Sequence, residues 1–188
     1  MSFVPTLIIV TGIESSGKSF IAGELSRGLN LPFFSKDVIK EKLFDTIGYK
    51  DRPWSQKLGV GSLALLFLTT QELLSHGQSL IIESNFLPEL AKTDFENIAK
   101  DLSVKFFQII CFADGSEIYR RFKDRVDTDQ RHPGHCDNVN IVEFRDRLLT
   151  GGKFPIDIPG EKVEINTTDF SQVDLKPLIS QLQNFIKN

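Results

Sequence analysis

Cysteine is nearly absent from this 188-residue chain: Cys111 and Cys136 are too few to frame a disulfide scaffold. Together with an apolar start (residues 1–10) that lacks a basic leader, this predicts a reducing, cytoplasmic setting. An excess of basic charge is also missing. Twenty-two Lys and Arg against 25 Asp and Glu give a net charge of −3, which argues against a surface built to wrap a nucleic-acid duplex. That balance still allows a local basic cleft for one nucleotide or a short strand end. No apolar run reaches the ~20 residues that a bilayer span requires. The most apolar stretch, Leu58–Thr70, ends in Gln71 and Glu72 and reads as a buried helix, so no membrane is expected. Internal repeats, low-complexity tracts and interdomain linkers are lacking too, and the length fits one domain over residues 1–188. What is plentiful is phenylalanine. The 16 rings are scattered through apolar stretches and read as core, not as a platform for stacking bases.

Apolar runs and helical periodicity alternate along the chain. Leu7–Val10, Pro32–Ser35, Ser79–Ile82, Val104–Phe112 and Lys162–Ile165 read as strands, the first of them β-branched enough to be covered on both faces. Helices are predicted over Lys18–Leu29, Val38–Ile47 with Asp37 as its cap, Ser55–His76, Pro88–Lys100, Gly115–Val126, Val139–Leu149 and Leu175–Ile186. Gly48–Trp54, Asp127–Asp137 and Gly151–Gly160 read as loops. Strands alternating with helices imply an α/β fold whose largely parallel sheet is covered on both faces, with ligands at the carboxyl ends of the strands.

The strongest motif falls at such an end. Gly12-Ile13-Glu14-Ser15-Ser16-Gly17-Lys18-Ser19 satisfies G-x-x-x-x-G-K-[ST] between a strand and a helix, which is the context its mechanics require. Glycine lets successive backbone N–H groups turn toward phosphate oxygens, and the helix that follows adds the positive end of its dipole. Lys18 is expected to reach the β- and γ-phosphates, and the Ser19 hydroxyl to ligate Mg²⁺. These residues predict a nucleoside triphosphate site, with ATP and magnesium as the cofactor pair. A guanine-reading N-K-x-D is not present: Asn166-Thr167-Thr168-Asp169 has the ends without the lysine. D-x-x-G occurs at Asp45–Gly48 and Asp157–Gly160, but neither follows the strand that should carry it. A motor ATPase would want a larger chain and an acidic pair where Glu83 stands alone. Arg121 and Arg125 share one helix face, with Arg120 beside them and Arg131 in the loop beyond, in the order expected of a flap that closes over a transferring phosphoryl group. Interleaved Glu117, Asp124 and Asp127 offer these arginines ordinary ion-pair partners as well.

The phosphate loop, Ser35-Lys36-Asp37-Val38-Ile39-Lys40-Glu41-Lys42-Leu43-Phe44-Asp45, Ile82-Glu83-Ser84-Asn85-Phe86 and Arg131-His132-Pro133-Gly134-His135 together resemble the small P-loop kinases related to gluconate and shikimate kinases, chloramphenicol phosphotransferase and zeta toxins. The resemblance spans residues 7–169. It implies a three-layer P-loop NTPase fold, a five-stranded parallel sheet of order 2-3-1-4-5 and an Arg-bearing lid over residues 115–138. It also implies γ-phosphoryl transfer from ATP to a hydroxyl of a small-molecule acceptor. On that basis Asp37 is expected to accept the acceptor's proton, and Glu83 to hold Mg²⁺ through water or to orient the acceptor. Asn85 and Phe86 would line the acceptor pocket, and Arg131 and Thr167 would contact the nucleotide. Lys36 and Lys40 read as surface charges. His132, His135 and Cys136 lack a fourth ligand and standard zinc spacing, so a lid loop explains them better. Two rivals remain: a nucleotide-dependent switch that acts through a protein partner, and a kinase of 5′-hydroxyl nucleic-acid ends. The sequence does not fix the acceptor or the oligomeric state.

Overall fold

Leu7 and Ile9 point to one side of a sheet, Ile8 and Val10 to the other, and all four are fully buried. This is the two-residue period of a strand covered on both faces. The computed structural model describes residues 4–128 and 131–187. In chain order the elements are β1 (Thr6–Thr11), α1 (Lys18–Leu29), β2 (Phe33–Ser35), α2 (Lys36–Ile47), α3 (Arg52–Ser75), β3 (Leu80–Glu83), α4 (Pro88–Asp101), β4 (Lys105–Phe112), α5 (Gly115–Asp127), α6 (Asp137–Thr150), β5 (Glu161–Asn166) and α7 (Lys176–Lys187), with short 3₁₀ turns at Pro133–His135 and Phe170–Gln172. The strands pair in the order β2-β3-β1-β4-β5, and every pairing is parallel. This is the expected 2-3-1-4-5 sheet of the P-loop fold. Of the lid and polar loop expected between residues 115 and 138, positions 129 and 130 lie outside the described residues.

The two layers of core follow from the alternation. Leu7, Ile9, Leu80, Ile82 and Phe106 meet Leu66, Phe67 and Leu74 of α3 and Phe95 and Ile98 of α4. On the opposite face Ile8, Val10, Ile81, Phe107 and Ile109 meet Ile21, Ala22 and Leu25 of α1 and Leu178 and Leu182 of α7. A third cluster of Ile13, Ala113, Ile118, Phe122 and Leu148 fastens α5 and α6 to the loop after β1. Burying rings and branched chains of this kind contributes roughly 1.5–3 kcal/mol each.

Two helices differ from the sequence expectation. α2 starts at Lys36, with the Ser35 backbone as its N-cap, so Asp37 lies inside the first turn and does not cap. Its carboxylate is taken by Arg131, as described below. α3 starts at Arg52, not Ser55, because the Asp51 side chain accepts from the Trp54 N–H at 2.9 Å and Pro53 suits the first turn. Nor is α3 a mostly buried helix. Only 28% of its most apolar window is buried, and Val60 and Leu68 are each 62% exposed.

Candidate functional site

The loop between β1 and α1 has the shape its glycines dictate. At Gly12 a Cβ would stand 2.3 Å from the Cys111 carbonyl oxygen, and Gly17 adopts a left-handed φ of 79° with the Phe170 ring where a side chain would be. Only glycine meets both demands. Lys18 is buried at 8% exposure and curls back over the loop, its ammonium donating to the Ile13 carbonyl at 3.3 Å and lying 3.8 Å from Glu83. Ser19, one residue on, is exposed and lines a cavity of about 650 Å³ with Ser15, Gly17, Phe20, Arg121 and Phe170. Ser16 is fully buried, its hydroxyl without a hydrogen-bond partner among the described residues.

Glu83 pairs in register beside Val10, which brings it under the loop. Its carboxylate accepts from the Ser35 hydroxyl at 2.7 Å and is 1% exposed. Ser19 offers its hydroxyl to the first cavity, whereas Glu83, held by Ser35 and Lys18, lines neither cavity; carboxylate and hydroxyl oxygens are the donors a hard cation such as magnesium takes.

A second cavity, of about 690 Å³, opens on the other side of Lys18. Glu14, Asp37, Lys40, Asn85, Phe86 and Arg147 contribute to its walls, and α3 forms one long side. Lys18, Asp37 and Arg131 line both cavities, so the two meet at these three side chains. Asp37 accepts from Arg131 at 2.6 Å and lies 3.8 Å from Lys36. Burial alone would raise its carboxyl, but Arg131, Lys36, His135 and Lys18 together hold it far below the ordinary carboxylate range. Arg131 also receives the ring of His135, whose Nδ1 is 3.0 Å away and whose Nε2 meets Glu41 at 2.9 Å. Burial, with Arg131 next in weight, pushes His135 down to about 2, so the imidazole is neutral.

The predicted arginines separate into two groups. Arg125 and Arg131 converge on Asp137, at 2.9 and 3.7 Å. Arg121 lines the same cavity as Arg125 and Arg131 but is held by different partners. It is held by Glu117 at 2.7 Å, donates to the Thr167 and Thr168 carbonyls, and stacks its guanidinium 4.6 Å from the Phe170 ring centroid. Thr167 is fully buried and donates its hydroxyl to the Ser16 carbonyl at 2.7 Å, so it braces the phosphate loop from behind and does not face the cavity.

Asn85 donates to Glu14 at 2.9 Å, and Glu14 also accepts from Arg147 of α6 at 2.8 Å. Phe86 packs against Phe67 and Phe95 as a wall of the second cavity, with 2% exposure. Lys36 and Lys40 are not the surface charges they resemble in the sequence. Lys40 is 8% exposed and both line the second cavity, because α2 turns that face toward α3. The signal was available in Phe44, which is 1% exposed, lies one turn from Lys40 and marks the inward side of the helix. Phe170, Arg52 and Arg147 are further cavity residues that sequence reasoning missed.

The profile of the AAA domain family matches residues 7–147. Among solved structures, a candidate kinase of Chloroflexus aurantiacus j-10-fl shares 34% identity and a TM-score of 0.88, the alignment covering 96% of this chain and 98% of that one. The APS kinase of Mycobacterium tuberculosis, solved with AMPPNP and APS, shares 14% identity over 100% of both chains with a TM-score of 0.60. A gluconokinase of Sinorhizobium meliloti 1021 shares 10% identity and a TM-score of 0.51, over 100% of this chain and 94% of that one. These last two show the fold alone. A search among curated proteins finds no match.

Proposed function

We propose that this chain, which belongs to the AAA domain family, is an ATP-dependent kinase that transfers the γ-phosphoryl group to a hydroxyl of a small-molecule acceptor. The observation that carries this reading is the junction of two cavities at Lys18, Asp37 and Arg131. A site for nucleotide alone needs one chamber. A transferase needs two, joined where the phosphoryl group crosses.

In this reading residues 12–19 cradle the triphosphate, Lys18 neutralises its β- and γ-oxygens, and Arg121 with Phe170 borders the nucleoside. Ser19 and, through water, Glu83 would hold Mg²⁺, which supplies charge neutralisation of the phosphates when bound. The acceptor oxygen forms a bond to Pγ as the bond from Pγ to the β,γ-bridging oxygen breaks. ADP departs, and the acceptor's proton passes to Asp37. Such transfer is loose, so positioning and charge balance outweigh base strength. Arg131 couples the two halves: when it moves from Asp37 to the phosphoryl oxygens, the strongest cationic restraint on that carboxylate is lifted and its basicity rises. Residues 115–138, as a lid, would carry this arginine and Arg125.

The test is transfer of labelled γ-phosphate from ATP into a panel of sugars, nucleosides, antibiotics and hydroxy acids. Lys18→Ala is expected to abolish transfer, and Asp37→Asn to spare ATP binding while lowering kcat. Unchanged kcat in Asp37→Asn would remove Asp37 as the base. Absence of transfer, with a protein partner captured only alongside a non-hydrolysable analogue, would replace the kinase reading with that of a switch.

A further inference from the structure

Among the described residues around the acceptor-side cavity, Lys40 is a cation without an ion-pair partner. Arg131 pairs with Asp37, Arg147 with Glu14, Arg52 with Glu143, Lys36 with Asp37 and Lys18 with Glu83. Lys40 has no hydrogen bond and no carboxylate within ion-pair distance among the described residues. Its ammonium lies 5.3 Å from the Phe44 ring centroid, against Gly59 of α3, and faces the cavity at 8% exposure. Burial first, then Lys36, brings it down to about 8. A buried cation left unpaired is costly, and folds hold one where a ligand completes it.

The same wall changes character along α3. From Gly59 it continues through Val60, Ala64 and Leu68, all exposed and lining the cavity, to which Gln71, Leu87 and Asp94 also contribute. From Gly59 to Leu68 the helix rises about 13 Å. The exposed apolar stripe that made α3 look anomalous is therefore the lining of a binding chamber of ordinary ligand size.

We infer that Lys40 anchors an anionic group of the acceptor, whose apolar body lies along Val60, Ala64 and Leu68, so that the acceptor class is a hydroxylated organic acid and not a neutral polyol. This rests on the kinase reading above. It assigns Lys40 a specificity role separate from the transfer step, since Asp37, on the preceding turn of α2, faces the phosphoryl group.

The experiment uses hexanoate and hexanamide, matched in size and differing in charge, titrated by NMR against the full chain with Mg-AMPPNP present. AMPPNP affinity is measured on the same samples. Hexanoate is expected to bind at least 10-fold tighter than hexanamide. Lys40→Met, which keeps the aliphatic stem, should erase that preference; Lys40→Arg should restore most of it, and Ala64→Glu should weaken hexanoate. Equal binding of the two probes, absence of hexanoate binding, or a preference that survives in Lys40→Met would each overturn the inference. Loss of AMPPNP binding by the native chain would instead overturn the kinase reading, so the two failures are separable.

Discussion

Arg131 and His135 meet beside Asp37, and their pairing shapes how this molecule responds to acid. His135 accepts from the guanidinium through Nδ1, leaving Nε2 to donate to Glu41. Burial penalises a charged ring here, and protonation would also place a second cation against Arg131, so the ring's proton affinity falls to about 2. The sign follows from linkage. Below the unfolded value of 6.5 the unfolded chain binds a proton at this position that the folded chain refuses, so stability is lost as pH falls, down to about 2. Between pH 7 and 5.5 this one residue should cost about 1 kcal/mol. Urea denaturation at the two pH values should show that loss in the native chain, and His135→Gln should lack it. Asp37 adds a separate loss that sets in as pH falls through the ordinary aspartate value of 3.8 and grows below it, because its carboxyl is depressed and not raised.

At the scale of the element, α5 and α6 are attached to the phosphate loop by one apolar cluster, in which Phe122 is 1% exposed and Arg125 lies 4.7 Å over its ring. Phe122→Ala should cost about 3–5 kcal/mol in urea denaturation. It should also weaken ATP binding, since Arg121 and Arg125 flank it on the same helix. A stability loss with nucleotide affinity unchanged would show that α5 positions nothing in the site. Elements were also the level at which the sequence spoke most clearly. The β-branched run at Leu7–Val10, the glycines at Gly12 and Gly17 and the spacing of Ile21, Leu25 and Leu29 together define a strand, loop and helix without any distant contact. The sheet order needed the resemblance, because parallel pairing joins strands far apart in the chain. α2 was read with the wrong start and the wrong face: Asp37 looks like a cap wherever a helix follows it, and lysines four apart look solvated until their neighbour α3 is in place. Arg147 gave no signal at all, since its partner Glu14 is 133 residues away.

For the whole molecule, the fold has set two adjoining chambers beyond the carboxyl ends of β1 and β2, with α3 walling one and the turn at Phe170 bordering the other. Three side chains, Lys18, Asp37 and Arg131, line both. A single compound can therefore span them. Adenosine joined through an oligophosphate bridge to a six-carbon acid would occupy both halves at once, each end raising the effective concentration of the other to roughly millimolar. Calorimetry should find it bound about 100-fold more tightly than either fragment. Arg131→Ala should not abolish that gain, because the tether and not the arginine then holds the ends together. If the proposed kinase activity holds, inhibitors could accordingly be built as bridges, with the length of the phosphate chain serving as a ruler for the passage.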